Sequence, residues 1–380
     1  MLISQFLYKD NELSLKGKNQ INNPLSVNLV LGFGAKSILE DGKLNALLKH
    51  KFPSAQVALC SSAGEILDGK IYDDTVVITA LYLENTIVHT TSLNISQFKN
   101  SYDLGKSLIS QLNPINLKNI FILSDGLLVN GTQLVTGMEE GNTGGALITG
   151  GLAGDDTNFQ NTVVGLNTVP DSGNVVAIGF YGSRMEVRSA SISGWDIFGP
   201  ERTVTKSIGT HVYEIDHKSA IDLYRLYLGP YIDDKTNSTL LFPLAVKLPG
   251  KSHYYARSIL SINYVEQCMV FAGDIQEGSV VRFMKASFER LIDAAELAAR
   301  QINKDDNDFV PELAFLVSCV GRKVILNKQV EEEVGVIADY FNNQTALIGF
   351  YSYGEISPQA VNGPCELHNQ TMTITAFREF

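Results

Sequence analysis

The sequence repeats itself. An apolar stretch ending in Gly34-Ala35-Lys36 is echoed by residues 313–320 followed by Gly321-Arg322-Lys323. Thirty residues after Gly34 stands Gly64-Glu65-Ile66, and thirty-three after Gly321 stands Gly354-Glu355-Ile356. Further on, Val76-Val77-Ile78-Thr79-Ala80 is matched by Met372-Thr373-Ile374-Thr375-Ala376. Three signals in one order, at similar spacing, point to two regions that share an architecture through internal duplication. Chance likeness of short strand–turn words is the alternative.

The pattern around these words is that of strands alternating with helices. Residues 25–33 are mostly apolar and read as a buried strand. Leu44, Leu47 and Leu48 then stand at helical spacing, Pro53 ends that helix, and residues 55–60 form a second strand, which makes a strand–helix–strand unit. Further strands are expected at 75–83, 86–93, 118–124 and 144–149, with a helix near 103–112. Residues 125–145, rich in Gly and Asn, read as loop with local order at 127–134, and 161–169 with 175–181 as a hairpin through Pro170-Asp171-Ser172-Gly173. Beyond Asp216 the spacing predicts helices at 219–228, 282–301 and 328–341. It predicts strands at 240–247, 254–263, 267–272, 312–319, 345–351 and 370–378. The fold class is therefore α/β (α+β): two related mixed-sheet domains with helices packed on the sheets. The expected boundaries are an N-terminal extension at 1–24, a first domain at 25–215 and a second at 216–380.

Charge and cysteine usage narrow the function. The formal net charge is −11 and no basic stripe is present, which argues against a nucleic-acid partner. Cys60, Cys268, Cys319 and Cys365 are scattered with no CxxC pair, as expected of a reducing cytoplasm. No apolar run approaches the ~18 residues of a membrane span, so neither export nor a membrane is expected. There is no GxxxxGK[ST] loop, no strand followed by GxGxxG, no nucleophile elbow of correct length and no close histidine pair. Catalysis is therefore not expected.

One constellation stands out. Cys319 to Lys323, Gly349 to Glu355 and Cys365 to Thr371 gather polar and aromatic side chains at the ends of three expected strands, where pockets form in α/β folds. Arg322 offers a planar fork for a carboxylate, Tyr351 and Tyr353 offer flat walls with hydroxyls, and Glu355, His368 and Asn369 add polar groups. Asp155, after Gly154, is a further ligand-binding candidate at a strand end. The plainer reading has Arg322 paired with an acid such as Glu355, the tyrosines partly core, His368 structural and the Gly-plus-acid words tight turns.

The segments CSSAGEI (60–66), GALITGGLAGDD (145–156), VVAIGFYG (175–182), AIDLYRLYLG (220–229), FPLAV (242–246), SCVGRK (318–323), GFYSYGEI (349–356) and LHNQTMTIT (367–375) together resemble the FIST proteins. These are bacterial and archaeal sensory modules with an N-terminal and a C-terminal FIST domain. The resemblance runs from about residue 25 to the end. It implies a small-ligand input module of signal transduction, with amino acids among the suggested ligands. Stand-alone members resemble haem-based nitric-oxide sensors that act in trans on a partner histidine kinase in a two-component system. The chain ends at Phe380, directly after its last expected strand, and so looks like that type. On that resemblance a noncovalent haem b would take His368 as its axial ligand, with Arg322 on a propionate and the tyrosines lining the porphyrin.

Overall fold

The computed structural model describes residues 1–229, 237–303, 309–360 and 363–380. Central strands of its sheets, such as Leu29–Gly34, Leu313–Cys319 and Ala346–Ser352, are buried along their whole length because they are covered on both faces. In the first repeat, Leu29–Gly34 and Gln56–Ser61 run parallel through helices Lys36–Glu40 and Lys43–Lys51, and Val76–Tyr82 returns antiparallel. A second repeat has the same plan: parallel Leu117–Ser124 and Leu147–Leu152, helix Gly131–Gly141 between them, and Asn174–Tyr181 returning. The third uses Leu313–Cys319, Ala346–Ser352 and Met372–Glu379, with helices Val320–Leu326 and Val330–Tyr340. Strands Leu2–Lys9, Ile87–Asn94 and Met185–Ile192 precede the repeats and pair with their return strands.

The repeats are locked together by exchange. Each sends a short arm to a neighbour's sheet: Glu65–Leu67 to Ala346–Ser352, Val164–Leu166 to Gln56–Ser61, and Gly354–Pro358 to Leu147–Leu152. Because the exchange is cyclic, no sheet is complete without another repeat. Alternate residues then divide between two environments. Leu31, Phe33, Phe121, Leu123, Phe315 and Phe350 turn inward to one central core, with Phe33–Phe350 and Phe121–Phe315 ring centroids 4.7 and 4.6 Å apart. Val30, Leu59 and Ile78 turn outward beneath Leu44 and Leu48, and Ile120, Ile122, Leu316 and Leu347 lie similarly beneath helices.

The mixed α/β class stands, and the architecture repeats three times. The echo noticed in the sequence joins the first and third copies. Between Met185–Ile192 and helix Phe288–Ile302, the chain builds an inserted lobe around an eight-stranded antiparallel sheet spanning Asp196–Lys285. Asp216 and His217 form a hairpin turn inside that sheet.

Four expectations need correction. The extension 1–24 supplies strands Leu2–Lys9 and Glu12–Asn19 to the first sheet. Residues 161–169 and 175–181 do not form a hairpin with each other; Val164–Leu166 pairs across to the first repeat instead. The region near 282–301 begins with strand Val280–Lys285, because Val281 and Phe283 alternate into the lobe's core before Ser287 caps the helix. Finally, residues 131–141 are helical. Their glycines permit close helix packing: a Cβ on Gly137 would stand 2.1 Å from the Tyr102 carbonyl oxygen, and one on Gly105 would stand 2.3 Å from that of Leu134.

Gly150 makes an equally close approach inside a sheet. Its φ is +147°, and a Cβ there would stand 2.0 Å from the Ile122 carbonyl oxygen on the parallel neighbour. Gly150→Ala is expected to cost more than the roughly 1–3 kcal/mol of an unfavourable backbone conformation, since the two strands must also separate. A chemical denaturation curve checks this, and a loss below about 1 kcal/mol would show that the strands yield easily.

Candidate functional site

Superposing the three repeats by their ladders puts Ser62, Ala153 and Ser352 at one position, and Thr75, Asn174 and Thr371 at another. Three residues beyond the first position stand Glu65, Asp156 and Glu355. Two of these acids are sealed in. Ser62 and Thr75 donate to Glu65 at 2.6 and 2.9 Å; Ser352 and Thr371 hydroxyls donate to Glu355 at 2.7 and 2.8 Å. Burial pushes Glu65 up to about 8 and Glu355 up to about 7, against the opposing pull of those hydrogen bonds. The middle repeat has Ala153 and Asn174 in place of the hydroxyl residues, and its acid, Asp156, is exposed at a cavity that Asp155 also lines. The same ladders align Gly34 with Ser318 rather than Gly321, so Gly34-Ala35-Lys36 and Gly321-Arg322-Lys323 are not structural equivalents.

The cavity is about 630 Å³ and opens at the carboxyl ends of the first repeat's parallel strands, the customary ligand position in such sheets. All three repeats contribute. Lys36 follows the end of strand Leu29–Gly34 and places its ammonium 4.0 Å from Asp155 Oδ2. Lys323, from helix Val320–Leu326, donates to Asp73 and, at 2.8 Å, to the Ala63 carbonyl oxygen. Gly64 makes room for it: its φ is +136°, and a Cβ would stand 2.6 Å from Lys323 Nζ. Asp74, Asp156, Asn158 and Gln160 complete a strongly polar lining.

Tyr353 holds one wall of this cavity from behind. Its hydroxyl accepts from the Asp155 and Phe159 amides at 3.0 and 3.1 Å and donates to the Asp156 carbonyl oxygen at 3.3 Å. Its ring stacks on Phe159 at 4.3 Å. Tyr353 and Asp155, both expected at a site, are thus brought together, with Tyr353 as the positioning group.

The other expected residues do not converge with them. Arg322 is fully buried and all three of its nitrogens are occupied: Nε donates to Glu333 at 2.6 Å, Nη1 to the Ser193 carbonyl at 2.5 Å and Nη2 to the Leu291 carbonyl at 2.8 Å. Its partner acid is Glu333, not Glu355. Tyr351 belongs to the same network, donating to Glu333 Oε2 at 2.7 Å, with burial and the adjacent carboxylate raising its pKa. Glu355 is buried in its Ser352–Thr371 cradle. Asn369 donates to the Tyr353 carbonyl oxygen at 3.4 Å and lies under the surface. These four are interior residues because a sheet covered on both faces turns its strand-end polar groups into internal networks.

His368 is 6% exposed, and its Nε2 donates to the Ser357 carbonyl oxygen at 2.9 Å. Burial lowers its pKa to about 4, so the ring stays neutral. An iron atom could reach Nε2 only by breaking that bond and orphaning a buried carbonyl. The surroundings of His368 therefore do not fit a haem, and Arg322 has no free nitrogen for a propionate.

Among the cavity residues missed from the sequence are Lys36, Asp73 and Lys323. Lys36 and Lys323 sat inside the echoed words, which was the one available signal. Asp73 carried none.

Two family models match the chain: the FIST N domain over residues 28–218 and the FIST C domain over residues 220–358. An uncharacterized protein of Methanocaldococcus jannaschii is 26% identical over 236 residues, which cover 55% of this chain and 44% of that protein. The chain therefore spans less than half the length of this curated relative. Among solved structures, a cyanuric acid hydrolase of A. caulinodans aligns over 94% of this chain and 91% of its own at 7% identity, with a TM-score of 0.33. A likeness of that size carries no argument. Among the described residues no helix is long and apolar enough to cross a membrane.

Proposed function

The chain belongs to the FIST family, whose domains are small-ligand sensory modules of signalling proteins, and on that premise we propose that it senses a small zwitterionic metabolite, an amino acid being the simplest case, in the 630 Å³ cavity between its repeats. The observation that carries this reading is the placement of two ammonium groups, Lys36 and Lys323, in a cavity whose other charged lining residues are all carboxylates. A ligand carboxylate would meet Lys36. A ligand ammonium would meet Asp155 or Asp74, which come from different repeats.

The cavity also joins the two family domains, since Lys323 lies in the C-terminal match and the remaining lining residues lie in the N-terminal one. Occupancy would therefore bear on their relative packing. Arg322, next to Lys323 on one helical turn, grips the carbonyls of Ser193 and Leu291 beside the inserted lobe. That contact offers a mechanical link from ligand to lobe, through which a cytoplasmic sensor would act in trans on a partner such as a histidine kinase. Binding without turnover is favoured because the Ser62 hydroxyl is tied to a carboxyl that burial keeps protonated near neutrality, leaving it no base.

A thermal-shift screen of the twenty common amino acids tests this. A true ligand at a hundred times its Kd should stabilise the fold by ~2.7 kcal/mol. Lys36→Ala, which removes a charge-assisted contact worth about 1.5–3 kcal/mol, should weaken binding roughly tenfold to a hundredfold. A screen in which no amino acid moves the midpoint, or a ligand indifferent to Lys36→Ala, would refute it. Haem and nitric oxide, the sharper version of the sensor reading, have a separate test: a Soret band after haem addition that disappears in His368→Ala would restore them.

A further inference from the structure

The inserted lobe brings together three side chains that the sequence keeps apart. His211 opens strand His211–Ile215, which pairs antiparallel with Cys268–Phe271 in the register His211↔Val270 and Val212↔Met269. Continuing that register sets Cys268 opposite Tyr213, on the same face of the sheet as His211. Glu266 stands two residues earlier, across the hairpin turn where Gln267 takes a φ of 55°. One ligand atom from each of His211, Glu266 and Cys268 lies within 4.8 Å of the other two, and Cys268 Sγ is 4.0 Å from Glu266 Oε2.

We infer that His211, Glu266 and Cys268 form a binding site for a zinc-class divalent ion on the inserted lobe, with one coordination position open to solvent. The donor set is imidazole, carboxylate and thiolate, the combination that zinc takes in three-ligand sites with a water in fourth place. Zn–S near 2.3 Å with Zn–N and Zn–O near 2.0–2.2 Å puts tetrahedral donors about 3.3–3.6 Å apart, so closing the site requires movements of about 1 Å. Those movements fall on accessible groups: Glu266 is exposed and His211 half-buried, whereas Cys268 is buried on the inner side. Thr210 Oγ1 lies 3.2 Å from His211 Nδ1, a contact that orients the ring and leaves Nε2 for the metal. On binding, the Cys268 thiol loses its proton to solvent and the ion takes up the thiolate, so affinity rises with pH. The bound ion would staple the tip of the 259–271 hairpin to its neighbouring strand.

Cobalt(II) added to chelator-stripped, full-length protein is the probe. One equivalent should produce a thiolate-to-cobalt charge-transfer band in the near ultraviolet and the visible bands of tetrahedral cobalt, both removed by one equivalent of zinc. Cys268→Ser should abolish the charge-transfer band. His211→Ala and Glu266→Gln should each weaken cobalt binding by at least the roughly 10–100-fold that even an outer-shell loss costs. These two substitutions sit at accessible positions, so the proposal stays testable if the Cys268 variant folds poorly. Absence of a charge-transfer band in the parent protein, or one that survives in Cys268→Ser, would overturn the assignment, since Cys60, Cys319 and Cys365 are buried elsewhere. Amino-acid binding at the other cavity is read separately and is indifferent to either result.

Discussion

Replacing Arg322 with methionine is expected to cost the fold roughly 3–5 kcal/mol, the usual penalty for removing one member of a buried ion pair. Both partners are completely shielded, and Glu333 would be left with only the hydroxyls of Tyr351 and Ser318, at 2.7 and 3.2 Å. The carbonyls of Ser193 and Leu291 would lose their donor as well. The double variant Arg322→Met with Glu333→Leu removes the stranded charge and should recover a large part of the loss, because apolar replacement of a buried pair is often neutral. Urea denaturation of the parent, single and double variants measures this. Equal destabilisation by the single and double changes would show that the carbonyl contacts, rather than the ion pair, carry the effect.

Stability should fall by several kcal/mol as pH rises from about 4.5 to 9, and Glu65 and Glu355 are the cause. Both have folded-state pKa values raised from 4.5, to about 8 and about 7, chiefly by burial. Below pH 4.5 each is protonated in both the folded and the unfolded chain, and the full stability is present. Between that point and the raised value the folded chain holds more protons, so each rise in pH favours unfolding until the folded group also ionises. Asp73 raises and Lys323 lowers the Glu65 value, while Arg322 lowers that of Glu355, all by less than burial does. His368 acts in the opposite sense. Its value, lowered from 6.5 to about 4, contributes stability above pH 6.5 that is lost as pH falls through 4. Glu65→Gln and Glu355→Gln should each flatten the alkaline limb and leave the variants more stable than the parent near pH 9. Denaturation midpoints unchanged in slope between pH 6 and 9 would rule this out.

The contrast among the three equivalent acids shows how far residue identity can be read alone. Glu65 and Glu355 were visible as a repeated Gly-Glu-Ile word, yet burial makes them interior acids. Asp156 holds the equivalent place in a less similar word of the middle repeat, and it stays exposed where Ala153 and Asn174 replace the hydroxyl residues. Arg322 looked like a ligand fork because its sequence neighbours are polar; Glu333, its true partner, lies eleven positions on, on the following helix Val330–Tyr340, a placement that no spacing rule flags.

From the sequence by itself came the doubly buried strands, the recurrence of the strand–turn words in the first and third repeats, and the FIST relationship. Each depends on local periodicity or on short words, which survive without knowledge of what packs where. Tertiary structure alone revealed the middle repeat, the cyclic exchange of arms, the helix among glycines at 131–141, and the meeting of Lys36, Asp155 and Lys323 in one cavity. Backbone ladders pair strands of almost any composition, so the middle repeat could lose its words and keep its fold. Convergence of side chains far apart in the chain is set by how three sheets close on a shared core, and that geometry leaves no mark on local sequence.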